Sequence, residues 1–465
     1  MKVLEITLTN DIAESIKILK FNAPDLDIEK YKKQYGITGH NVLDTAKRPD
    51  KIITIDDGES RVEKVGRIPI SFQKKIVSAA TSFAFGNPVE LHSEPITEGE
   101  KQITKAIDII FDDNKIDSFN RKMCKDILRC TQFAEIWHVV ELKEASAEYG
   151  FDAKFKLRVL PISPWDGNKL YPFFDKSGDL IAFSREFQYK GIDGKASEYF
   201  ETYTDEEIVV WEKKQGEAFV ELSRAKNEIG KIPVIFGKDD SVDWSDVQYS
   251  IERLETLLSN FADTNDYHGS PKIFIQGAIQ GFAKKGESGA IIQGETGSTA
   301  QYLSWDNAPE SVRLEIDTLF KLIYSLTQTP DISFESVKGL GSVSGVALKM
   351  LFLDAHLKVQ DKREIFDGYL QRRINVVKSF VGVINTKLAK DAQNLRIKPK
   401  ISPFIVQDNK EKIDNLLAAN GNQPLISQKL SISQSGLVDD AELEYLAIQN
   451  EVKAANTLTL FPPAN

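Results

Sequence analysis

A stripe of apolar side chains at helical spacing runs through the last third of the chain and predicts an unusually long helix. Its members recur every three or four residues and are Leu348, Phe352, Ala355, Val359, Phe366, Leu370, Ile374, Val377, Val381, Ile384 and Leu388. Ser344 precedes the stripe and is a good N-cap, because its hydroxyl can accept a hydrogen bond from the first turn. A helix from Ser344 to Leu388 would be roughly 65 Å long, a length typical of a large assembly or a coiled coil. The charged centre at residues 362–364 disfavours a single coiled-coil seam.

Two shorter helical patterns, residues 245–266 and 309–328, precede this stripe and bracket a compact excursion. Six glycines between Gly277 and Gly297 alternate there with short apolar runs, which predicts a small β-rich segment. The first helix has an apolar side, and its opposite face is acidic, with only one basic residue, Arg253. The acidic residues of that face are Asp246, Glu252, Glu255, Asp263 and Asp266. The second helix ends at Thr329-Pro330-Asp331, and a glycine-containing loop then leads to Ser344.

The rest of the chain predicts an α+β fold that is mainly helical. Helices are expected over residues 11–19, 70–85, 98–111 and 118–130, and later near 408–419 and 440–454. From Glu135 the apolar period changes to two, and glycine-containing turns punctuate it, which predicts an inserted antiparallel β subdomain. Residues 1–66 show little periodicity beyond their first helix, so we expect an arm that lies on another part of the protein.

Composition narrows the possible functions. The 465 residues are 41% hydrophobic and 28% charged, with a formal net charge of −10. An acidic chain is poorly suited to gripping phosphate backbones, because that affinity comes from Lys and Arg displacing counterions. The sequence shows neither a secretory leader nor an apolar run long enough to span a bilayer. Cys124 and Cys130 are expected to be unpaired packing residues, and the protein to be made in a cytoplasm without a membrane partner.

No enzymatic motif stands out in the sequence. The five histidines lack metal-ligand spacing, and paired aspartates such as Asp56-Asp57 lie at turns or caps. The loop from Gly339 to Gly345 superficially suggests a phosphate cradle at a helix N-terminus. A Walker loop would need a Gly-Lys-Ser/Thr ending after a buried strand, whereas Val346 and Ala347 follow here. We therefore expect no catalytic residue, metal or cofactor.

Several motifs, taken in order, resemble the portal proteins of siphovirus-type tailed bacteriophages. The most specific is Thr329-Pro330-Asp331 followed by Ser344-Gly345-Val346-Ala347-Leu348-Lys349, which is similar to the family's signature around its tunnel loop. Further similar stretches are Tyr35-Gly36 with Gly39-His40-Asn41-Val42-Leu43, Phe85-Gly86-Asn87-Pro88-Val89, Gly230-Lys231-Ile232-Pro233-Val234, and Ile426-Ser427 with Val438-Asp439-Asp440. The chain departs from the family pattern at two positions: Thr38 interrupts the Gly-His step of the arm, and Asn87 stands where Lys is usual.

The resemblance implies a portal-type subunit that assembles as a ring, usually dodecameric, at a unique capsid vertex. Its parts would be an N-terminal arm (1–66), a wing of helices and antiparallel β structure (67–240), stem helix 1 (241–269), a clip (270–308), stem helix 2 (309–329), a tunnel loop (330–343), a long wing helix (344–391), and a wing strand with crown helices and tail (392–465). Double-stranded DNA would pass through the channel during packaging and ejection.

The resemblance also implies which residues carry these roles. The tunnel-loop residues facing DNA would be Ser333, Glu335, Ser336, Val337, Lys338, Gly339 and Ser342, with hinges at Pro330, Asp331, Ser344 and Gly345. The acidic face of residues 245–266 would line the channel, where like charge lets DNA slide. Clip residues that dock partners would be Phe274, Gln276, Lys284, Lys285 and Gln293. Lys338 would form a basic ring, and unchanged packaging in Lys338→Glu would contradict that role.

The implied partners are further copies of the chain, the major capsid and scaffold proteins, the terminase large subunit and a head-completion adaptor. The protein would be found in the virion at the portal vertex, and in the host cytoplasm during assembly. Two other interpretations remain open from the sequence. One is a nucleotide-binding enzyme that uses the Gly339–Gly345 loop, and the other is a coiled-coil structural or scaffold protein.

Overall fold

The computed structural model of the protein describes most of the chain and divides it into two compact units. The described residues are 11–21, 26–54, 60–191, 194–268, 272–277, 297–303, 309–331, 350, 352–404, 409–421, 424–438 and 440–459. The first unit comprises residues 1–331 and 354–404, and the second comprises residues 332–353 and 405–465. All strands within the described ranges belong to the first unit.

Helices and antiparallel strands combine in an α+β fold, as the sequence predicts. The helices of the described residues are α1 (Ile12–Leu19), α2 (Ile28–Tyr35), α3 (Phe72–Phe85), α4 (Glu98–Asp113), α5 (Ile116–Cys130), α6 (Gln248–His268), α7 (Pro309–Leu326), α8 (Leu353–Ile384), α9 (Ala389–Asn394), α10 (Asn409–Ala419), α11 (Gln428–Ser435) and α12 (Ala441–Thr459). The strands are β1 (Lys51–Thr54), β2 (Ser60–Glu63), β3 (Glu90–Ser93), β4 (Gln132–Ser146), β5 (Ala153–Ile162), β6 (Lys169–Phe174), β7 (Leu180–Lys190), β8 (Ala196–Tyr203), β9 (Glu207–Lys213), β10 (Val220–Lys226), β11 (Val234–Lys238), β12 (Lys272–Gln276), β13 (Thr299–Leu303) and β14 (Ile397–Lys400).

The inserted β subdomain consists of two antiparallel sheets. One has the strand order β10-β9-β8-β7-β6, and the other has the order β11-β4-β5. Gly150, Gly178 and Gly194 lie at turns with φ of 81°, 88° and 78°, a left-handed conformation that glycine adopts without a steric cost. The apolar alternation in the sequence therefore predicted this subdomain correctly, including its turns.

Helix α1 completes the core of the five-stranded sheet. The Asp11 carboxylate accepts hydrogen bonds from the first-turn N–H groups of Ala13 and Glu14, so Asp11 is the N-cap of α1. The buried α1 side chains Ile16 and Leu19 pack against Phe200 and Trp211 of the five-stranded sheet. Hydrophobic burial thus fixes the beginning of the chain onto β structure more than one hundred residues away.

The long helix is shorter than the sequence pattern suggests. It is α8, which has 32 residues from Leu353 to Ile384, so it is about 48 Å long at 1.5 Å per residue. The prediction of a helix continuing to Leu388 is wrong, because Asn385 adopts an extended conformation and its side chain accepts from the N–H of Lys387. The apolar stripe persists because Leu388 turns back and is buried. Ser344 lies outside the described residues.

A buried polar network joins α8 to β4. The Arg373 guanidinium donates to both carboxylate oxygens of Glu135, at 2.7 Å each, and to Asn120 Oδ1 at 2.5 Å. Trp137 Nε1 and the Tyr369 hydroxyl also donate to Glu135, each at 2.9 Å. Arg373 and Glu135 are almost fully buried, so the bidentate geometry compensates for removing both charges from water.

The second unit contains the three C-terminal helices α10, α11 and α12. Ser427 caps α11, and Gly436 ends it in a left-handed conformation with φ 71°. An ion pair of 2.9 Å joins Lys429 of α11 to Glu442 of α12. The sequence analysis predicted α10 and α12 but missed α11, which has eight residues and buries none of them. The predicted C-terminal tail lies outside the described residues.

Candidate functional site

Helix α6 carries most of the acidic face that the sequence singles out. In the structure some of its carboxylates lie at the surface, and others are bound by residues of the same chain. Asp246 precedes the helix in a short 3₁₀ turn and is exposed, and Asp266 is exposed near the C-terminal end. Glu252 is half-buried and accepts a hydrogen bond of 2.8 Å from Gln248. These three carboxylates remain at the surface of the chain.

Glu255 is not a surface residue, contrary to the prediction. It is 1% exposed, and its Oε1 lies 2.5 Å from His40 Nδ1 and 2.8 Å from the N–H of Ile70. The other ring nitrogen of His40 lies 2.9 Å from the carbonyl oxygen of Gln34. Both ring nitrogens of His40 therefore lie against oxygen atoms, which fixes the orientation of the imidazole between α6 and the backbone at Gln34.

Asp263 is also taken up inside the chain. Its Oδ2 pairs with Arg48 at 2.8 Å, and its Oδ1 accepts from the N–H of Gly66 at 2.5 Å. The N–H of Ile68 donates to the hydroxyl of Ser259 on the same helix at 2.9 Å. Residues 40–48 and 66–70 therefore lie along α6. Glu255 is buried and Asp263 is half-buried, although the sequence assigns both carboxylates to the face that would line the channel. No pattern in the sequence could show that Glu255 and Asp263 bind residues from the N-terminal part of the chain.

Helices α6 and α7 form an antiparallel pair. Arg253 of α6 forms an ion pair of 2.7 Å with Glu315 of α7. Ile251, Leu254 and Ile323 are fully buried, which accounts for the apolar stripe of each helix. Between the two helices, the chain forms the hairpin β12–β13, in which the predicted docking residues Phe274 and Gln276 pair with Gln301 and Thr299.

Helix α7 ends in a hydrogen-bonded turn whose left-handed position is occupied by a residue other than glycine. Thr329 N–H donates to the carbonyl of Tyr324 at 3.0 Å, and Gln328 N–H donates to that of Ser325 at 3.1 Å. Gln328 has φ 50°, the left-handed position that glycine usually occupies in this arrangement. Pro330 follows, because proline cannot continue a helix. The predicted hinge residues Pro330 and Asp331 therefore lie immediately after a fully formed helix end.

A buried lysine holds this helix end to two other elements. Lys358 of α8 donates to the carbonyl oxygen of Thr327 at 2.7 Å, and its Nζ lies 2.6 Å from Asp243 Oδ2. The carbonyl of Thr327 is one of those that a helix leaves unpaired at its C-terminus. Nearby, Lys362 pairs with Asp239 at 2.5 Å. We call Asp239, Asp243, Thr327, Lys358 and Lys362 the junction cluster.

The junction cluster is electrostatically balanced but buried. Burial raises the pKa of Asp243, although the charges of Lys358 and Lys362 oppose the shift. Burial alone would lower the pKa of Lys362, but the hydrogen bond and charge of Asp239 raise it. The cluster therefore joins the segment before α6, the end of α7 and the start of α8 with two lysine–aspartate pairs. No signal in the sequence identified these pairs, because the partners are more than one hundred residues apart.

Several predicted site residues lie outside the described ranges. They are the tunnel-loop residues Ser333, Glu335, Ser336, Val337, Lys338, Gly339 and Ser342, the hinge residues Ser344 and Gly345, and the clip residues Lys284, Lys285 and Gln293. Among the described residues there is no group of three or more His, Cys, Asp or Glu that could hold a metal ion. No helix in the described ranges is long and apolar enough to cross a membrane.

Comparison with known protein families shows the family to which the chain belongs. A family model described as "Phage portal protein, SPP1 Gp6-like" matches residues 27–457. The chain belongs to this family of phage portal proteins. The match includes the residues of α6, the β12–β13 hairpin, α7 and the junction cluster, and it confirms the resemblance seen in the sequence motifs.

Solved structures similar to this portal protein are components of gene transfer agent (GTA) particles. "Neck of empty GTA particle computed with C6 symmetry" is 12% identical with a TM-score of 0.42, over 79% of this chain and 89% of that one. "Neck of native GTA particle computed with C12 symmetry" is 12% identical with a TM-score of 0.39, over 90% and 94% of the two chains. "Virion of native gene transfer agent (GTA) particle" is 11% identical with a TM-score of 0.37, over 92% and 99%. No curated protein matches the chain.

Proposed function

We propose that copies of this portal protein assemble into a ring, dodecameric in the virion, at one vertex of the capsid. The central channel of the ring passes double-stranded DNA during packaging and ejection. The observation that carries the proposal is the family match over residues 27–457. The ring also docks the terminase large subunit, which supplies the ATP-driven step, and later a head-completion adaptor. The portal protein itself has no catalytic role in this proposal.

The α6–α7 pair supports a channel-forming role. Two antiparallel helices that carry a hairpin at one end and a helix stop at the other correspond to a stem, with β12–β13 belonging to the clip. The hairpin residue Phe274 is 53% exposed, as expected for a surface that docks a partner. After Asp331 the chain enters the residues assigned to the tunnel loop, and α8, which begins at Leu353, is assigned to the wing.

The surface charge of α6 supports sliding of DNA rather than gripping. Asp246, Glu252 and Asp266 keep their carboxylates at the surface, and Arg253 is paired with Glu315. In a ring these carboxylates would repeat around the channel and repel phosphates, which lowers the affinity for DNA at rest. The same carboxylates would be of little use to a protein that binds DNA tightly.

Electron microscopy of the purified full-length protein tests the ring directly. We expect closed rings with a central hole, and counting subunits in class averages checks the dodecamer. Monomers or rods at all protein concentrations would contradict the proposal.

A packaging assay tests the channel. Asp266→Lys is expected to lower the yield of DNA-filled particles, because a ring of lysines would retain phosphates. Glu144→Lys, an exposed change in β4, is the matched control and should package normally. If both variants form intact rings and package DNA equally well, the assignment of α6 to the channel wall is refuted.

A further inference from the structure

The two sheets of the β subdomain share a hydrophobic core at one end of their facing surfaces. The buried residues of this core come from both sheets and include Ile136, Ile162, Phe183 and Tyr203. These side chains show which face of each sheet is the inner one. Every second residue of a strand lies on the same face, so the register of the strands identifies the inner-face residues beyond this core.

The inner face of the three-stranded sheet is uncovered beyond the core. Val140 lies on this face of β4, two pairs of residues along from Ile136, and Leu160 of β5 is paired with Ile136. Both Val140 and Leu160 are exposed. Arg158 lies on the same face, where it is paired with His138. Neighbouring exposed apolar side chains of this kind indicate a surface that another molecule covers.

The inner face of the five-stranded sheet is aromatic where it leaves the core. Phe187 and Tyr199 are paired across β7 and β8, and their rings stack with centroids 5.4 Å apart. Tyr189 is the next residue of β7 on this face, and it is exposed. Exposed aromatic side chains are common at the centre of protein interfaces, because they bury a large apolar area.

The two uncovered faces line the same space. Burial lowers the pKa of His138 on β4, and the nearby charges of Arg158 and Arg185 lower it further. Arg185 lies on β7, with its guanidinium carbon 4.3 Å from the ring centroid of Phe187. A residue of the aromatic face therefore lies close to the facing sheet. We call the space between residues 138, 140 and 160 on one side and 187, 189 and 199 on the other the sheet groove.

The sheet groove has an unpaired positive charge on one wall. Arg185 forms an ion pair of 2.6 Å with Glu201. Arg158 donates to a backbone carbonyl oxygen and forms an ion pair with no carboxylate of the described residues. On the opposite wall, Glu212 of β9 accepts a hydrogen bond of 3.0 Å from the hydroxyl of Tyr199. The groove therefore suits a segment that brings apolar side chains together with a carboxylate for Arg158.

The hairpin β1–β2 has the matching chemistry. It pairs with no other strand of the described residues, and an isolated two-stranded hairpin is marginally stable in water. Ile52 and Val62 lie opposite each other in the hairpin and are 72% and 63% exposed. The sequence between the two strands contains Asp56, Asp57 and Glu59. The hairpin thus combines an uncovered apolar pair with an acidic connecting sequence.

A closed ring requires two different complementary patches on every subunit, because each copy contacts its two neighbours through different surfaces. We propose that the β1–β2 hairpin of a second copy of the portal protein docks in the sheet groove, with Ile52 and Val62 against the aromatic wall and a carboxylate of residues 55–59 against Arg158. This inference rests on the proposed function, because it requires neighbouring copies in a ring. One contact then covers both exposed apolar surfaces.

Electron microscopy of the rings at side-chain resolution tests this docking. We expect the hairpin of the neighbouring subunit in the sheet groove, with Ile52 and Val62 in contact with Phe187 and Tyr189. A groove that is empty, or that holds any other segment or another protein, would overturn the inference while the rings leave the proposed function intact. A purified protein that forms no rings would instead refute the proposed function.

An exchange of charges tests the contact in solution. Arg158→Glu should raise the protein concentration needed for half-assembly by about tenfold, equivalent to about 1.4 kcal/mol, and so should the pair Asp56→Lys/Asp57→Lys. All three changes together restore opposite charges across the contact and should recover assembly. Lys105→Glu is the matched control, since Lys105 is exposed on α4, a helix that contacts the opposite face of β4. Failure of the combined variant to recover assembly, or equal assembly by Arg158→Glu and the control, would refute the contact.

A serine substitution tests the apolar part of the contact. Ile52 is exposed in the subunit, so Ile52→Ser should leave thermal unfolding of the subunit unchanged. The same change should raise the concentration needed for half-assembly by about tenfold, because the docked side chain loses its apolar contacts. Ile96→Ser is the matched control, since Ile96 is also exposed but lies in neither surface. Equal assembly by the two serine variants would overturn the inference.

Discussion

Replacing Lys358 by methionine tests whether the junction cluster holds α7 to α8. The change removes the ammonium group but keeps most of the length and volume of the side chain. In the structure Lys358 Nζ lies 2.6 Å from Asp243 Oδ2 and 2.7 Å from the carbonyl oxygen of Thr327. The side chains of Lys358 and Asp243 are only 8% and 5% exposed. The variant therefore leaves a buried carboxylate without its nearest cation and a helix-end carbonyl without its donor.

The expected loss of unfolding free energy follows from these two groups. Removing one partner of a buried ion pair costs about 3–5 kcal/mol, and an unpaired buried carbonyl accounts for about 1–3 kcal/mol of such a loss. Lys362 remains nearby and its charge acts on Asp243, so we expect a loss of about 3 kcal/mol, at the low end of that range. The double variant Lys358→Met/Asp243→Asn removes the buried carboxylate as well as the ammonium and should lose about 1–3 kcal/mol, because the Thr327 carbonyl stays unpaired.

The pH dependence of this loss has a defined sign. Burial already raises the pKa of Asp243, and losing Lys358 raises it further. An acid whose pKa is raised by folding binds more protons in the folded state, so its destabilising effect is present at high pH and disappears on acidification. The difference in unfolding free energy between Lys358→Met and the wild type should therefore shrink as the pH is lowered, whereas for the double variant it should not.

Urea unfolding, followed by circular dichroism at one protein concentration, measures these differences. Arg363→Met is the matched control on the same helix, because Arg363 forms a partly exposed pair with Asp367 and should change stability by less than about 1 kcal/mol. Hydrogen exchange of the Gln328 and Thr329 amides shows whether the end of α7 opens. A Lys358→Met protein within about 0.5 kcal/mol of the wild type, with unchanged exchange, would refute the role of the cluster.

Three further predictions concern single groups. Gln328→Gly should stabilise the chain by about 0.5 kcal/mol in urea unfolding, because relief of the left-handed strain, about 1–2 kcal/mol, exceeds the added chain entropy of glycine; Gln328→Ala should bring no gain. Arg373→Met should cost about 3–5 kcal/mol, because the buried Glu135 carboxylate loses its bidentate partner. Adding Glu135→Gln should recover part of the loss in the same assay. Burial tends to raise the pKa of Glu186, but Lys20 and then Tyr171 lower it overall. Glu186 therefore stabilises the fold above its unfolded pKa, and this stabilisation is lost as the pH falls through its folded pKa. Lys20→Met should flatten this loss of stability in acid in a thermal-unfolding series.

Local sequence patterns predicted the elements of this fold well where they carry their own signal. The first helix over 11–19, the helix ending at Phe85 and the glycine turns of the β subdomain all stand close to where the pattern placed them. Helix α2 was missed because its eight residues bury no side chain, so they show no apolar stripe. Helix α8 was predicted too long because the stripe continues to Leu388 after the helix has ended at Ile384.

Pairings between distant residues were beyond the sequence. The acidic face of α6 has one apparent helical pattern, but Glu255 and Asp263 turn towards His40 and Arg48. Charge on a helix face predicts a solvated surface only when no other part of the chain covers it. Residues 40–48 and 66–70 cover this face only in the folded chain, and a single sequence holds no local trace of that contact. The same reason applies to Lys358, whose partner Asp243 precedes another helix.

The junction cluster changes where a hinge can lie. The sequence placed one hinge at the Thr329-Pro330-Asp331 bracket, yet Thr329 is 4% exposed and Pro330 is buried as well. The carbonyl of Thr327 is held by Lys358, and the amides of Gln328 and Thr329 are bonded back into α7. Rotation at any of these residues would break buried hydrogen bonds, whose loss is not compensated by water. We therefore predict that a hinge lies at Asp331 or later, and that Lys358 couples a displacement of α7 to α8.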